Sequence, residues 1–251
     1  LADPGPLSRG TRRLDPAIGL FGLQVRSESG FLSRVENREA LAMAIDREAL
    51  LAPFNIGGWV STTRIVPAPL AGEEVAERWA GIEIERLRGE ARRRVEAWTS
   101  GAGEGEAPVV TIALADQPGN AALFNELARQ WAEIDVTLRR AGEDRAPDLV
   151  AVDRVARYAG SRWFLNQFNC TLRRGLCSPE ADAEVRLALE ASDLQARAAR
   201  IARAEAMLTA ANVYIPLAMP LRWSLVRGDV EGYAANQWAW HPLPDMATIP
   251  R

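Results

Sequence analysis

Residues 33–69 read SRVENREALAMAIDREALLAPFNIGGWVSTTRIVPAP, and the order of signals in this stretch decides the fold. Ala40, Leu41, Ala44 and Ile45 recur at helical spacing, which predicts a short amphipathic helix over Asn37–Ile45. Asp46 breaks that pattern and is placed to cap a second short helix, Arg47–Leu51, by accepting from its free N–H groups. Gly57-Gly58 then frees the backbone, and Pro67 and Pro69 hold an extended exit. Helix, acidic cap, helix, glycine turn and proline exit form an order that propensity alone rarely produces.

Around this stretch the composition sets bounds. A chain of 251 residues that is 48% hydrophobic buries a sizeable core, as one large domain or two small ones. Its net charge of −3 provides no global basic field for nucleic acid or anionic lipid. All 30 basic residues are Arg, a usage that a GC-rich genome accounts for. With no Lys there is no Schiff-base amine and no lysine for a phosphate-binding loop. No apolar run approaches the roughly 20 residues a membrane-spanning helix needs.

Outward from the central stretch, residues 1–20 are rich in Pro, Gly and Arg, show no sustained period, and read as an irregular lead-in. Leu20–Val25 reads as a strand. Glu73–Trp79 and Glu83–Trp98 read as helices, the second with Leu87, Ala91, Val95 and Trp98 on one face. Gly101–Glu106 precedes a strand rather than following one, carries two acids, and reads as a linker and not a phosphate cradle. Pro108–Ala115, Asn120–Trp131, Val136–Arg139 and Asp148–Val152 then give strand, helix, strand, strand, which argues for a parallel or mixed sheet. A short helix over Trp163–Phe168 leads into CTLRRGLC, residues 170–177. A helical pair follows at Pro179–Glu190 and Leu194–Ala211, then strands at Tyr214–Met219 and Arg222–Arg227 and a turn at Gly228-Asp229. Cys170 and Cys177 suit either a small disulfide ring or two reduced thiols, and two soft ligands alone make a poor zinc site.

Arg38, Ala40, Leu41, Ala44, Ile45, Asp46, Arg47, Leu50, Gly57 and Pro67 together resemble the R-x-A-L-x-x-A-I-D-R-x-x-L…G…P signature of the family-5 extracytoplasmic solute-binding proteins. These are the peptide, nickel and oligosaccharide receptors of bacterial ABC importers. Pro216, Leu217, Pro220, Trp223, Val226 and Gly232 resemble that family's return from its second lobe toward its first. The resemblance implies an α/β, periplasmic-binding-protein-like lobe with a mixed, mostly parallel sheet flanked by helices. It implies an irregular remnant of the first lobe at 1–20, the second lobe at 21–220 and a return segment at 221–251. Family members are roughly twice this long, so a fragment or a truncated relative is implied. Also implied are a periplasmic location, a Cys170–Cys177 disulfide, no cofactor and no metal. The partners would be a small polar or peptide-like solute and an inner-membrane ABC permease, with no nucleic acid, and the protein would be a monomer.

Nothing in the residue inventory reads as an enzyme. His241 is the only histidine, so any Ser-His-Asp or Cys-His set would have to run through it, and it sits in a Trp- and Pro-rich tail that favours a structural role. Arg92-Arg93-Arg94 shares its helix with Glu83, Glu85, Glu90 and Glu96 and reads as a salt-bridged surface. Among eight tryptophans, Trp79, Trp98 and Trp131 read as core, whereas Trp59, Trp163, Trp223, Trp238 and Trp240 lie on loops or strand ends where an aromatic can line a cleft. Of these, Trp59 and Trp163, grouped with glycines and polar neighbours, are singled out. Peptide-binding members carry W-x-x-D-Y-x-x-P-x-x-F-L after the strand matching Asp148–Val152, and that Asp pairs with the ligand's α-amino group. Laid on Phe164-Leu165, this motif puts Tyr158 on its Tyr, Arg157 on its Asp and Arg154 on its Trp. A cation in place of an anion disfavours an ammonium ligand and points to an anionic or neutral polar solute. Arg64 lies in the loop after Gly57-Gly58, and convergence of these loops on a cleft would bring up to three guanidinium groups to the ligand. The expected ligand-binding set is therefore Trp59, Arg64, Arg154, Arg157, Tyr158, Trp163 and Asn166. A ligand-sensing domain of a regulator with the same fold is the alternative reading.

Overall fold

The computed structural model describes residues 11–71, 76–102, 105–142, 145–226, 230 and 232–246. In chain order it runs β1 (Thr11–Pro16), β2 (Gly19–Val25), a 3-10 turn (Gly30–Ser33), α1 (Val35–Met43), α2 (Arg47–Leu51), a second 3-10 turn (Ala52–Phe54), α3 (Ala68–Ala71) and α4 (Ile84–Thr99). The next elements are β3 (Val109–Ala113), α5 (Pro118–Ala132), β4 (Thr137–Arg140), β5 (Leu149–Val155), α6 (Ser161–Asn166) and a third 3-10 turn (Cys170–Leu172). The chain closes with α7 (Pro179–Glu190), α8 (Leu194–Ala210), β6 (Tyr214–Ala218), β7 (Leu221–Val226) and α9 (Leu243–Met246).

Five strands form one mixed sheet in the order β4-β3-β5-β2-β6. β3 is parallel to both β4 and β5, while β2 is antiparallel to β5 and β6, so β2 alone runs against the rest. The α5 crossover joins β3 to β4 as the strand-helix-strand pattern predicts. Ile112 of β3 lies opposite both Arg140 of β4 and Leu149 of β5. β5 therefore starts at the level where β4 stops, and the short 141–148 link needs no helix. β2 is buried along its whole length and lies between β5 and β6. Gly22 is required there: a Cβ would collide with the Ile215 carbonyl and the Tyr214 ring. The buried Tyr214 hydroxyl has no hydrogen-bond partner among the described residues.

The 33–69 stretch folds as its sequence pattern predicts through the glycine turn, with α1 starting two residues early at Val35. The extended exit expected at Pro67 and Pro69 is replaced by the short helix α3, Ala68–Ala71, in which Pro69 sits in the first turn where its missing N–H costs nothing. Asp46 caps α2 by accepting from the Ala49 N–H at 3.0 Å. Gln130 of α5 clamps the Asp46 backbone from both sides, accepting from its N–H at 2.7 Å and donating to its carbonyl at 3.0 Å. Buried Trp131 donates to the Leu41 carbonyl at 3.0 Å. Gly58 turns in the left-handed region at φ 76°. Val60–Thr62 then runs antiparallel beside β6, with the Met219 N–H donating to Val60 at 2.9 Å and the Thr62 N–H to Leu217 at 3.2 Å.

Two buried arginines of the stretch lock it to the last third of the chain. Arg38 donates to the Ala211 carbonyl at 2.9 and 3.0 Å and to Leu32 at 2.8 Å. Arg47 donates to the carbonyls of Pro216, Thr62 and Ile45 at 2.9, 3.1 and 3.2 Å. Burial, followed by the Arg78 guanidinium, pushes Arg47 down to about 10, which leaves it charged at neutral pH.

Three expectations need correction. Residues 1–20 read as irregular, yet Thr11–Pro16 is a strand paired along its length with β7; residues 1–10 lie outside the described residues. TRRLDP lacks apolar alternation because this ribbon is a two-stranded excursion in which only Asp15 is buried on the β1 side. Glu73–Trp79 read as a helix, but Trp79 sits at φ 59° and Gly81 at φ 73° in a turn, with residues 72–75 outside the described set. Trp79 and Trp98 read as core and are only half-buried: Arg78 lies over Trp79 at 4.2 Å, and Trp98 meets Phe31 edge-on at 5.3 Å. The turn at Gly228-Asp229 and part of the Gly101–Glu106 linker fall outside the described residues.

Candidate functional site

β5 delivers Arg154 at its C-terminal end, and the chain then breaks into the loop 156–160 before α6 begins at Ser161. Trp163 and Asn166 sit on α6, where Trp163 is buried and packs edge-on against Phe164 at 5.0 Å. The third wall is the ring closed by the Cys170–Cys177 disulfide, whose Cα atoms are 5.2 Å apart. Three contacts fix that ring. The Leu176 N–H donates to the Val25 carbonyl at 2.8 Å, the Cys170 N–H donates to Asp182 at 2.9 Å, and Asn169 accepts from the Thr171 N–H at 2.9 Å. Arg173 turns through the left-handed region at φ 50°, and the chain beyond it brings Arg174 to the pocket.

Together these walls enclose a cavity of about 690 Å³, lined by Arg154, Arg157 and Arg174, by Asn166 and Gln167, and by Tyr158, Trp163 and Leu172. Its charge is one-sided. Among the described residues none of the three arginines is in an ion pair. Asp153, the acid closest to them in sequence, is held by Arg222 at 2.8 Å. Arg154 donates to the Gln167 side-chain oxygen at 3.0 Å, and Gln167 is itself oriented by donating to the Trp163 carbonyl at 3.1 Å. Burial, and then the neighbouring Arg174 charge, hold Arg154 below the usual arginine range.

Of the seven residues singled out in the sequence, this cavity brings together Arg154, Arg157, Tyr158, Trp163 and Asn166. Trp59 and Arg64 do not line it. Trp59 packs between Phe21, tilted at 5.5 Å, and Phe54, edge-on at 5.3 Å, donates to the Met219 carbonyl at 2.7 Å, and borders a separate hollow of about 380 Å³. Arg64 is buried against Glu205 of α8 at 3.1 Å. The expected convergence of Arg64 with Arg154 and Arg157 is not present, because α8 places a carboxylate directly beneath it. Sequence reading missed Arg174, Gln167 and Leu172. The first lay within a ring whose closure was foreseen, and the other two carried no local signal.

A second cavity, of about 700 Å³, lies where β3 ends and α5 begins, and its lining includes Asp153, Arg140, Gln117 and Asn120. Asp153 and Arg154 are successive on β5 and point to opposite faces, so adjacent residues serve different cavities. The sole histidine is structural, as expected: His241 meets buried Asp15 at 2.8 Å and stacks on Tyr233 at 4.2 Å, tying the tail to β1. Among the described residues no cluster of His, Cys, Asp and Glu is arranged to hold a metal. No helix among them is long and apolar enough to cross a membrane.

The mixed sheet, its flanking helices and the emerging β1–β7 ribbon define an α/β lobe of the periplasmic-binding-protein kind. Comparison with solved structures makes this specific: the fold is that of one lobe of the peptide/nickel solute-binding proteins. Haemophilus influenzae OppA, solved in complex with RPPGFSPFR, superposes with a TM-score of 0.79 at 18% identity, over 94% of this chain and 48% of that one. The Escherichia coli murein tripeptide binding protein MppA gives 0.78 at 19% identity over 94% and 48%. Brucella suis NikA, solved with Fe(III)-EDTA, gives 0.74 at 15% over 96% and 53%. The chain thus spans about half the length of the structures it matches. No protein-family model matches the sequence, and no curated protein does.

Proposed function

We propose that this chain is a lobe of the solute-binding component of an ABC-type importer, held in the periplasm, that helps close a cleft over a small polar solute and presents it to a membrane permease. The observation that carries this reading is the superposition of nearly the whole chain on one lobe of proteins solved with a peptide or a chelate bound. The 690 Å³ cavity supports it, being within the usual range for small-molecule sites and combining aromatic walls with a few convergent polar groups. Closure would couple capture to docking, since a ligand shifts a two-state equilibrium only by its differential affinity for the closed state. No chemistry on the solute is part of this reading, and the disulfide suits an oxidising compartment. The test is solute capture by the full-length gene product, read by native mass spectrometry, together with solute uptake in cells lacking the gene. A captured solute whose uptake falls in the deletion strain is the expected result. A full-length product that captures nothing, in cells whose uptake is unchanged, overturns the reading.

A further inference from the structure

We propose that the cavity between β5, α6 and the disulfide ring is a receptor for an oxyanion, a carboxylate or phosphate group carried by the solute, and that the ring holds one of its three guanidinium walls in place. The inference rests on the solute-binding reading and names the ligand class of that site. Three arginines line one pocket, and the described residues lining it with them include no Asp or Glu. That is costly for an empty site, since like charges repel and Arg154 is partly desolvated. Several arginines elsewhere in the fold are neutralised by carboxylates: Arg64 by Glu205, Arg78 and Arg94 by Glu39, Arg88 by Glu133. Here, among the described residues, only the neutral Gln167 side chain is offered, and it serves to aim Arg154. A guanidinium presents its N–H groups as a fork that matches a carboxylate or phosphate in bidentate geometry, so the missing partner is an oxyanion. Tyr158, Trp163 and Leu172 give the rest of such a solute an apolar bed.

The ring makes the inference sharper. Arg174 belongs to the segment 170–177, and its approach to Arg154 depends on a loop pinned to β2 and to α7 on either side of the disulfide. Reduction should loosen Arg174 and weaken oxyanion binding while leaving Arg154 and Arg157 on their own elements.

Calorimetry on the full chain with inorganic phosphate, succinate and trialanine tests this, with the variants Arg157→Asp, Arg174→Gln and Cys170→Ser/Cys177→Ser. The expected result is binding of phosphate, of succinate or of both, weakened at least tenfold by Arg157→Asp and several-fold by Arg174→Gln and by loss of the disulfide, with little response to trialanine. Phosphate alone or succinate alone assigns the group as phosphate or carboxylate, and either supports the proposal. Oxyanion binding indifferent to the arginine substitutions overturns it, because the anion then sits elsewhere. Oxyanion binding weakened by the arginine substitutions but not by loss of the disulfide overturns the role given to the ring. Trialanine binding without oxyanion binding overturns the ligand class and leaves the solute-binding reading standing. Capture of none of the three probes, by this chain or by the full-length gene product, overturns the oxyanion proposal, while the solute-binding reading falls only by its own test of capture and uptake. Arg157 and Arg174 are exposed, so a melting curve that matches the parent's confirms that the variants are folded.

Discussion

The arginines of the 33–69 stretch and those of the 154–174 region differ in what surrounds them. Arg38 and Arg47 are buried, and each guanidinium is met by backbone carbonyls from distant segments, so their charge is spent on holding strands and helices together. Arg64 is met by a carboxylate. Arg154, Arg157 and Arg174 share a cavity, and among the described residues the only side-chain acceptor offered to any of them is Gln167. The sequence treats both groups alike, since every basic residue here is Arg. What separates a scaffold arginine from a candidate ligand-binding one is saturation, which depends on groups more than a hundred residues away. Substitutions that remove a saturated arginine should therefore cost stability, and those that remove an unsaturated one should cost binding.

The largest effect is expected at Arg47. Arg47→Ala leaves the carbonyls of Thr62, Pro216, Ile45 and Ala42 without the donor they now share in the interior. Each stranded buried acceptor costs about 1–3 kcal/mol before water enters. Urea unfolding should show a loss of about 3–5 kcal/mol, near the upper end for single substitutions. A loss below about 1 kcal/mol would show that the saturated arginine is not a structural tie and would break the comparison at its strongest point.

Next comes the ring. Replacing both Cys170 and Cys177 by Ser frees a short loop and should lower stability by about 2–3 kcal/mol in the chain-entropy account. Thiol titration of the unreduced, denatured protein should find no free thiol, and two after reduction. Two thiols before reduction would remove the wall that carries Arg174.

Asp46 sharpens the scaffold side at lower cost. Its carboxylate caps α2, and Asp46→Ala should cost about 1 kcal/mol through that lost cap. Oxyanion affinity of the folded protein should be unchanged, measured by calorimetry on the variant. A large loss of affinity with an unaltered melting curve would move Asp46 into the site.

Much of the scaffold was legible because its signals are local. The Asp46 cap, the Gly57-Gly58 turn, the β3-α5-β4 unit and the α7-α8 pair each follow from spacing or from one residue's chemistry. What failed was set by partners. Thr11–Pro16 is a strand only because β7 lies beside it, and its own residues carry no alternation. Arg64 looked available in a loop until α8 brought Glu205 against it. The candidate site was half legible for the same reason. Arg154, Arg157, Tyr158, Trp163 and Asn166 fall within 13 consecutive positions, so one motif alignment gathers them. Arg174 reaches the same cavity only through the turn at Arg173 and the anchoring of the ring on Val25.

The smallest expected change in stability is at Arg174, and it tests the contrast most directly. This side chain is exposed, makes no ion pair among the described residues, and sits close enough to Arg154 to disfavour its charged form. Arg174→Gln keeps a long polar side chain and removes that repulsion. Unfolding stability should therefore stay within about 0.5 kcal/mol of the parent, with any shift upward. The same substitution should blunt the response to ligand. A solute that binds only the folded state raises its stability in proportion to the logarithm of one plus its concentration over Kd. Added phosphate or succinate should thus raise the melting temperature of the parent more than that of Arg174→Gln. Sodium chloride at matched ionic strength separates specific binding from charge screening. A variant that melts well below the parent would make Arg174 a scaffold residue like Arg47. A variant that melts as the parent does and is stabilised equally by phosphate would show that its charge faces no ligand.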